Sequence, residues 1–163
     1  MAMVFAAAWF GALGILASAG ALLDVCTRKL PNILCAIMLA TGLTFAFVGG
    51  GWPALALGLA HVAAAFLLGY LFYLVGTFGA GDAKFYTATA GFFPLWDMLG
   101  LFVAITGAGF LLLLVWVFMK RSLRTRPKDR SDFAKLPYGV AIAAGAIAFA
   151  ALRMPESCCA PIG

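Results

Sequence analysis

Charged residues divide the chain into long apolar stretches. None occurs in Met1–Leu23, Leu30–Gly81, Phe85–Trp96, Met98–Met119 or Leu136–Leu152. The second stretch is 52 residues long, over twice the roughly 20 that a membrane-crossing helix needs. Gly49-Gly50-Gly51-Trp52-Pro53 interrupts it with a turn signal and an interfacial tryptophan. The pattern therefore predicts six transmembrane helices, near residues 3–24, 31–48, 53–76, 82–97, 98–119 and 136–152. The fourth has only 12 charge-free residues and crosses only with Asp82 and Lys84 at its rim.

Composition excludes the alternatives to a membrane fold. Of 163 residues, 65% are hydrophobic and 10% charged, whereas soluble domains are about half apolar and a quarter charged. Disorder, a collagen-like fibre and a disulfide-stapled scaffold fail on the same ground. The expectation is an all-α, polytopic helix bundle forming one domain over 1–163, with no soluble domain. Ten of the 11 basic residues then share one side: Arg28, Lys29, Lys84 and the cluster from Lys120 to Lys135. By the positive-inside rule that side is cytoplasmic, and both termini face outward.

The net charge of +5 comes mainly from the Lys120–Lys135 cluster. It lacks an aromatic series for stacking bases, so it is read as a contact for anionic membrane lipids and not for nucleic acid. Leu16-Ala17-Ser18-Ala19-Gly20 has the small residues of a signal-peptidase site, but no Lys or Arg precedes it, and the segment is kept as a mature packing helix. The four cysteines, Cys26, Cys35, Cys158 and Cys159, show no Cys-x-x-Cys spacing, so no metal site and no cofactor are expected. His61, in the middle of the third span, reads as a packed histidine hydrogen-bonded to a neighbouring helix, against the alternative of a proton relay.

Two carboxylates carry the candidate chemistry. Asp24 ends the first predicted helix and Asp82 begins the fourth, which puts both at the cytoplasmic rim. Ionisable groups at membrane depth are costly and face a cavity or each other. Two close carboxylates share a proton, so that one activates water while the other protonates a peptide carbonyl or leaving amine. Taken singly, Asp24 could pair with Arg28 one turn on, and Asp82 could be a helix cap. Gly79 and Gly81 precede Asp82, and glycine admits unusual backbone angles and the close approach of another chain.

On these residues the chain resembles the type IV prepilin peptidases, membrane aspartic proteases of the Gly-x-Gly-Asp class, and in particular the short form serving tight-adherence (Flp) pili. The matching segments are Asp24 with Lys29-Leu30-Pro31-Asn32, then Gly79-Ala80-Gly81-Asp82-Ala83-Lys84, then Leu136-Pro137-Tyr138-Gly139. The resemblance implies an aspartic endopeptidase of the bacterial inner membrane that removes the leader of Flp-type prepilins at the cytoplasmic face. Asp24 and Asp82 would be catalytic, with Gly79, Gly81, Lys84, Pro31, Asn32 and Pro137 in support. Longer members carry a zinc-binding cysteine region and methylate the new pilin N-terminus; without that insert, cleavage alone is implied.

Helix dipoles suggest a division of roles. Asp24 at a helix C-terminus would hold the shared proton, and Asp82 at a helix N-terminus would act as base. Two other classes compete. A small proton-coupled transporter or channel subunit could use Asp24, Asp82 and His61, and a non-catalytic assembly subunit could use the small-residue faces of the first and third helices.

Overall fold

A computed structural model of the chain describes residues 2–76, 78–122 and 138–159. They form five α-helices and a 3₁₀ turn: α1 (Ala2–Thr27), α2 (Asn32–Leu74), α3 (Ala80–Ala90), the turn Leu95–Asp97, α4 (Met98–Ser122) and α5 (Tyr138–Cys159). The stretches Met3–Thr27, Asn32–Leu74 and Leu95–Phe118 are long and apolar enough to cross a membrane. The chain is an all-α, multi-pass membrane protein.

The 43 residues of α2 are two arms of a hairpin. Gly51 breaks them with φ 66° and ψ −154°, a region that essentially only glycine occupies. The ring of Phe47 meets that of Trp52 across the bend at 5.2 Å. Further along, a Cβ on Gly58 would lie 3.3 Å from Leu43, so the arms run back alongside each other. These arms, 32–50 and 52–74, are the predicted second and third spans.

The predicted fourth span, 82–97, is corrected. α3 starts at Ala80 and stops at Ala90, followed by a turn and the 3₁₀ segment. In hydrocarbon every backbone polar group needs a partner, and this early stop supplies them. Phe92 and Phe93 donate their N–H groups to the carbonyls of Thr89 and Ala90 at 3.1 and 3.0 Å. The freed carbonyl of Phe92 accepts Trp9 Nε1–H at 3.2 Å, and that of Phe93 accepts His61 Nδ1–H at 3.0 Å. His61 is thus the packed histidine expected from the sequence.

Small residues let the helices approach closely, as they must where apolar burial alone does not favour one helix over lipid. The buried stripe of α1 is Leu13, Ala17, Gly20 and Asp24, at helical spacing. A Cβ on Gly20 would come within 2.4 Å of the Phe85 ring, and one on Gly42 within 2.7 Å of the Gly91 backbone. α5 packs between α1 and α4, while α3 lies against the α2 hairpin. At the end remote from Asp24, buried Asp97 pairs with Arg153, whose guanidinium also lies over Phe149. That pair was not foreseen, because α5 runs to Cys159, past its predicted end at 152. The predicted sixth start at 136, Pro137 and the basic residues Arg124–Lys135 lie outside the described residues.

A Cβ on Gly145 would sit 2.5 Å from the Ile105 backbone, whereas one on Gly107 meets nothing within 4 Å. Gly145→Ala is therefore expected to lower unfolding stability in detergent by about 1–3 kcal/mol. Gly107→Ala is expected to leave the thermal midpoint unchanged or slightly raised.

Candidate active site

Asp24 occupies the last turn of α1 as the terminal residue of its buried stripe and is only 7% exposed. The helix ends just beyond it. Thr27 Oγ1 donates to the Leu23 carbonyl at 2.8 Å. Arg28 adopts a left-handed conformation (φ 55°) and returns its N–H to the Asp24 carbonyl at 3.1 Å, an arrangement that terminates helices. Lys29, Leu30 and Pro31 then reverse the chain, and Pro31 caps α2 in extended backbone.

Asp82 lies in the first turn of α3, half-buried, and its Oδ2 accepts the Gly79 N–H at 3.3 Å. It satisfies one of the N–H groups that a helix start leaves open. The two carboxylates converge at the same end of the bundle. Gly20 and Phe85, one turn from Asp24 and Asp82 respectively, are in direct contact. Asp24 is near enough for its charge to act on Asp82.

The glycines before Asp82 do not serve unusual backbone angles. Among the described glycines only Gly51 and Gly76 have positive φ, and Gly79 is extended at φ −73°. Space is what Gly79 supplies, since a Cβ there would stand 3.0 Å from Asp82 Oδ2. Among the described residues a Cβ on Gly81 would meet only Leu30, at 3.6 Å, an ordinary contact.

Lys84 Nζ donates to Asn32 Oδ1 at 3.1 Å and ties α3 to the start of α2. On one side of this bridge is an open cavity of about 660 Å³, walled by Leu23, Arg28, Lys29, Pro31, Gly81 and Lys84 among others. Leu23 and Gly81 are the chain neighbours of Asp24 and Asp82, while neither carboxylate itself lines the cavity. On the other side is a more apolar cavity of about 300 Å³ that reaches Cys35, Leu39 and Phe66. Asn32 and Lys84 line both.

The structure thus gathers Asp24, Asp82, Gly79, Gly81, Lys84, Pro31 and Asn32 at one end. Pro137 lies outside the described residues. His61 belongs to the core against Phe93 and is not part of this cluster. Among the described residues no three His, Cys, Asp or Glu side chains come together. One further residue enters that was read only as the end of the matching segment Leu136-Pro137-Tyr138-Gly139. Gly139, in the first turn of α5, donates its N–H to Asp24 Oδ2 at 2.8 Å. Its backbone therefore sets a helix N-terminus against Asp24, which offsets the α1 C-terminus and removes a premise of the role division drawn from dipoles.

The sequence model of the type IV leader peptidase family matches residues 8–119, a segment that contains both aspartates. No curated protein and no solved structure matches the chain.

The convergence is testable without any assay of activity. In a background lacking the native cysteines, Asp24→Cys and Asp82→Cys together are expected to be joined within one chain by a short bifunctional thiol reagent. A control pairing Asp24→Cys with Trp96→Cys is expected to stay unlinked when both are resolved by protease digestion and mass spectrometry.

Proposed function

The chain belongs to the type IV leader peptidase family, and from that premise we propose that it is an aspartic endopeptidase using Asp24 and Asp82 to cleave the leader from Flp-type prepilins. The observation that carries the reading is that these two carboxylates, from helices remote in sequence, lie at the same end of the bundle, where Gly20 and Phe85 one turn away are in contact and a cavity is lined by their chain neighbours Leu23 and Gly81. In hydrolysis, one ionised carboxylate takes a proton from water as the water oxygen attacks the scissile carbonyl carbon. The other, protonated, gives its proton to the carbonyl oxygen. The resulting diol collapses as the first carboxyl passes its proton to the amide nitrogen. The C–N bond breaks, and the second carboxylate recovers a proton from the diol.

The two cavities suit a substrate with a polar leader followed by an apolar helix. The leader would enter the larger cavity, and the pilin helix would lie along the smaller, with the junction beside the dyad. Arg28, Lys29 and Lys84 lie at this end, and clustered cations mark the cytoplasmic side of a membrane. We therefore place cleavage at the cytoplasmic face of the bacterial inner membrane, with anionic lipids around the basic loop and without methyl transfer.

Co-expression with a tight-adherence pilin precursor tests the reading. Asp24→Asn and Asp82→Asn, at equal membrane levels, are each expected to slow leader removal by about 10²–10⁴-fold. Full processing by either variant contradicts it.

The sharing of one proton also fixes the sign of the pH response. The proposed mechanism needs one carboxylate as base and one carboxyl as acid, so activity is expected to fall toward either pH extreme. A bell-shaped kcat/KM profile is expected in proteoliposomes, its two limbs belonging to the pair jointly. A profile with a single limb would argue against a shared proton.

A further inference from the structure

We propose that Gly139 is a positioning residue for the proposed dyad, and that α5 completes the active site even though it lies beyond the segment matched by the family model. This rests on the reading of Asp24 as one of the two working carboxylates.

The first N–H groups of a helix have no acceptor within it. At α5 one of them is satisfied from another helix, because Asp24 Oδ2 accepts the Gly139 N–H at 2.8 Å, 115 residues away in sequence and buried. Asp24 therefore caps α5 in trans. The same bond engages Oδ2 and so fixes the carboxylate through one of its two oxygens. A carboxylate with one oxygen anchored by a backbone donor cannot rotate freely about its side-chain bonds, which is the preorganisation that acid–base chemistry requires.

Glycine at this position is required by the side chain it meets and not by backbone angles. A Cβ on Gly139 would stand 2.8 Å from Asp24 Oδ2, 2.9 Å from its Cβ and 3.0 Å from its Cγ. All three contacts are with Asp24 itself, so a methyl group there displaces the carboxylate directly. The contrast within α5 is Gly145, whose neighbours are backbone atoms of α4. Gly145 keeps two helices close; Gly139 keeps one side chain in place. The other charged groups near Asp24 are Asp82 and Lys84 on α3 and Arg28 and Lys29 beyond α1. Tyr138, next to Gly139, turns its ring onto Phe78.

The test uses the full chain in nanodiscs, with amide hydrogen exchange resolved at Gly139. Asp24→Ala removes the acceptor and is expected to speed exchange at that amide by about tenfold or more, while amides in the middle of α5 keep their rates. Gly139→Ala, counted per folded molecule, is expected to lower kcat for pilin processing by about 10–100-fold with KM within about twofold. Equal exchange at Gly139 in wild type and Asp24→Ala overturns the positioning role, whatever happens to activity. So does a Gly139→Ala enzyme with unaltered kcat. Full processing by Asp24→Asn instead removes the dyad reading beneath this inference, so the two failures are told apart.

Discussion

A carboxylate at membrane depth has to be met by a donor, and the bond from the Gly139 N–H to Asp24 meets that condition. Much of the arrangement follows from it. Asp24 is the last member of an otherwise small and apolar stripe on α1, so any inward-facing group there is buried. α5 can reach it only because its first turn carries no side chain at the point of contact. With α5 seated on α1 and α4, and α3 held by the α2 hairpin, the start of α3 is brought up to the end of α1.

The remaining helices solve the same problem of satisfying polar groups without water. α3 is too short to cross a bilayer, and its end is closed by internal bonds and by Trp9 and His61, each donating to a backbone carbonyl. At the far end Asp97 is neutralised by Arg153. At the carboxylate end, two cavities flank the Lys84–Asn32 bridge, one lined by Arg28, Lys29 and Lys84 and the other more apolar.

Much of this was legible along the chain, because hydropathy and charge report directly on what lipid will tolerate. The break at Gly51, the placement of Asp24 and Asp82 at the same end of the bundle and the packed character of His61 all follow from spacing. What was not legible depends on contacts between distant residues. The early end of α3 requires donors from α1 and α2, and the Asp97–Arg153 pair requires knowing that α5 continues beyond residue 152. The role of Gly139 was hidden for a related reason: it was read only within the matching segment Leu136-Pro137-Tyr138-Gly139, and nothing nearby in sequence indicates which side chain it must admit. The signal available was a coincidence of two helix ends at one membrane depth, one with a surplus of N–H donors and the other bearing a carboxylate. Of the two uses read for the glycines before Asp82, the unusual backbone angle is absent, since Gly79 is extended and provides room.

The central claim is that Asp24 and Asp82 act as one unit. A double-mutant cycle on kcat, using Asp24→Asn, Asp82→Asn and their combination with a purified prepilin, tests it most directly. If the residues form a single catalytic device, the double variant loses about as much as either single variant, because the first substitution already disables the pair. Losses that multiply in the double variant would show two independent contributions and contradict the account.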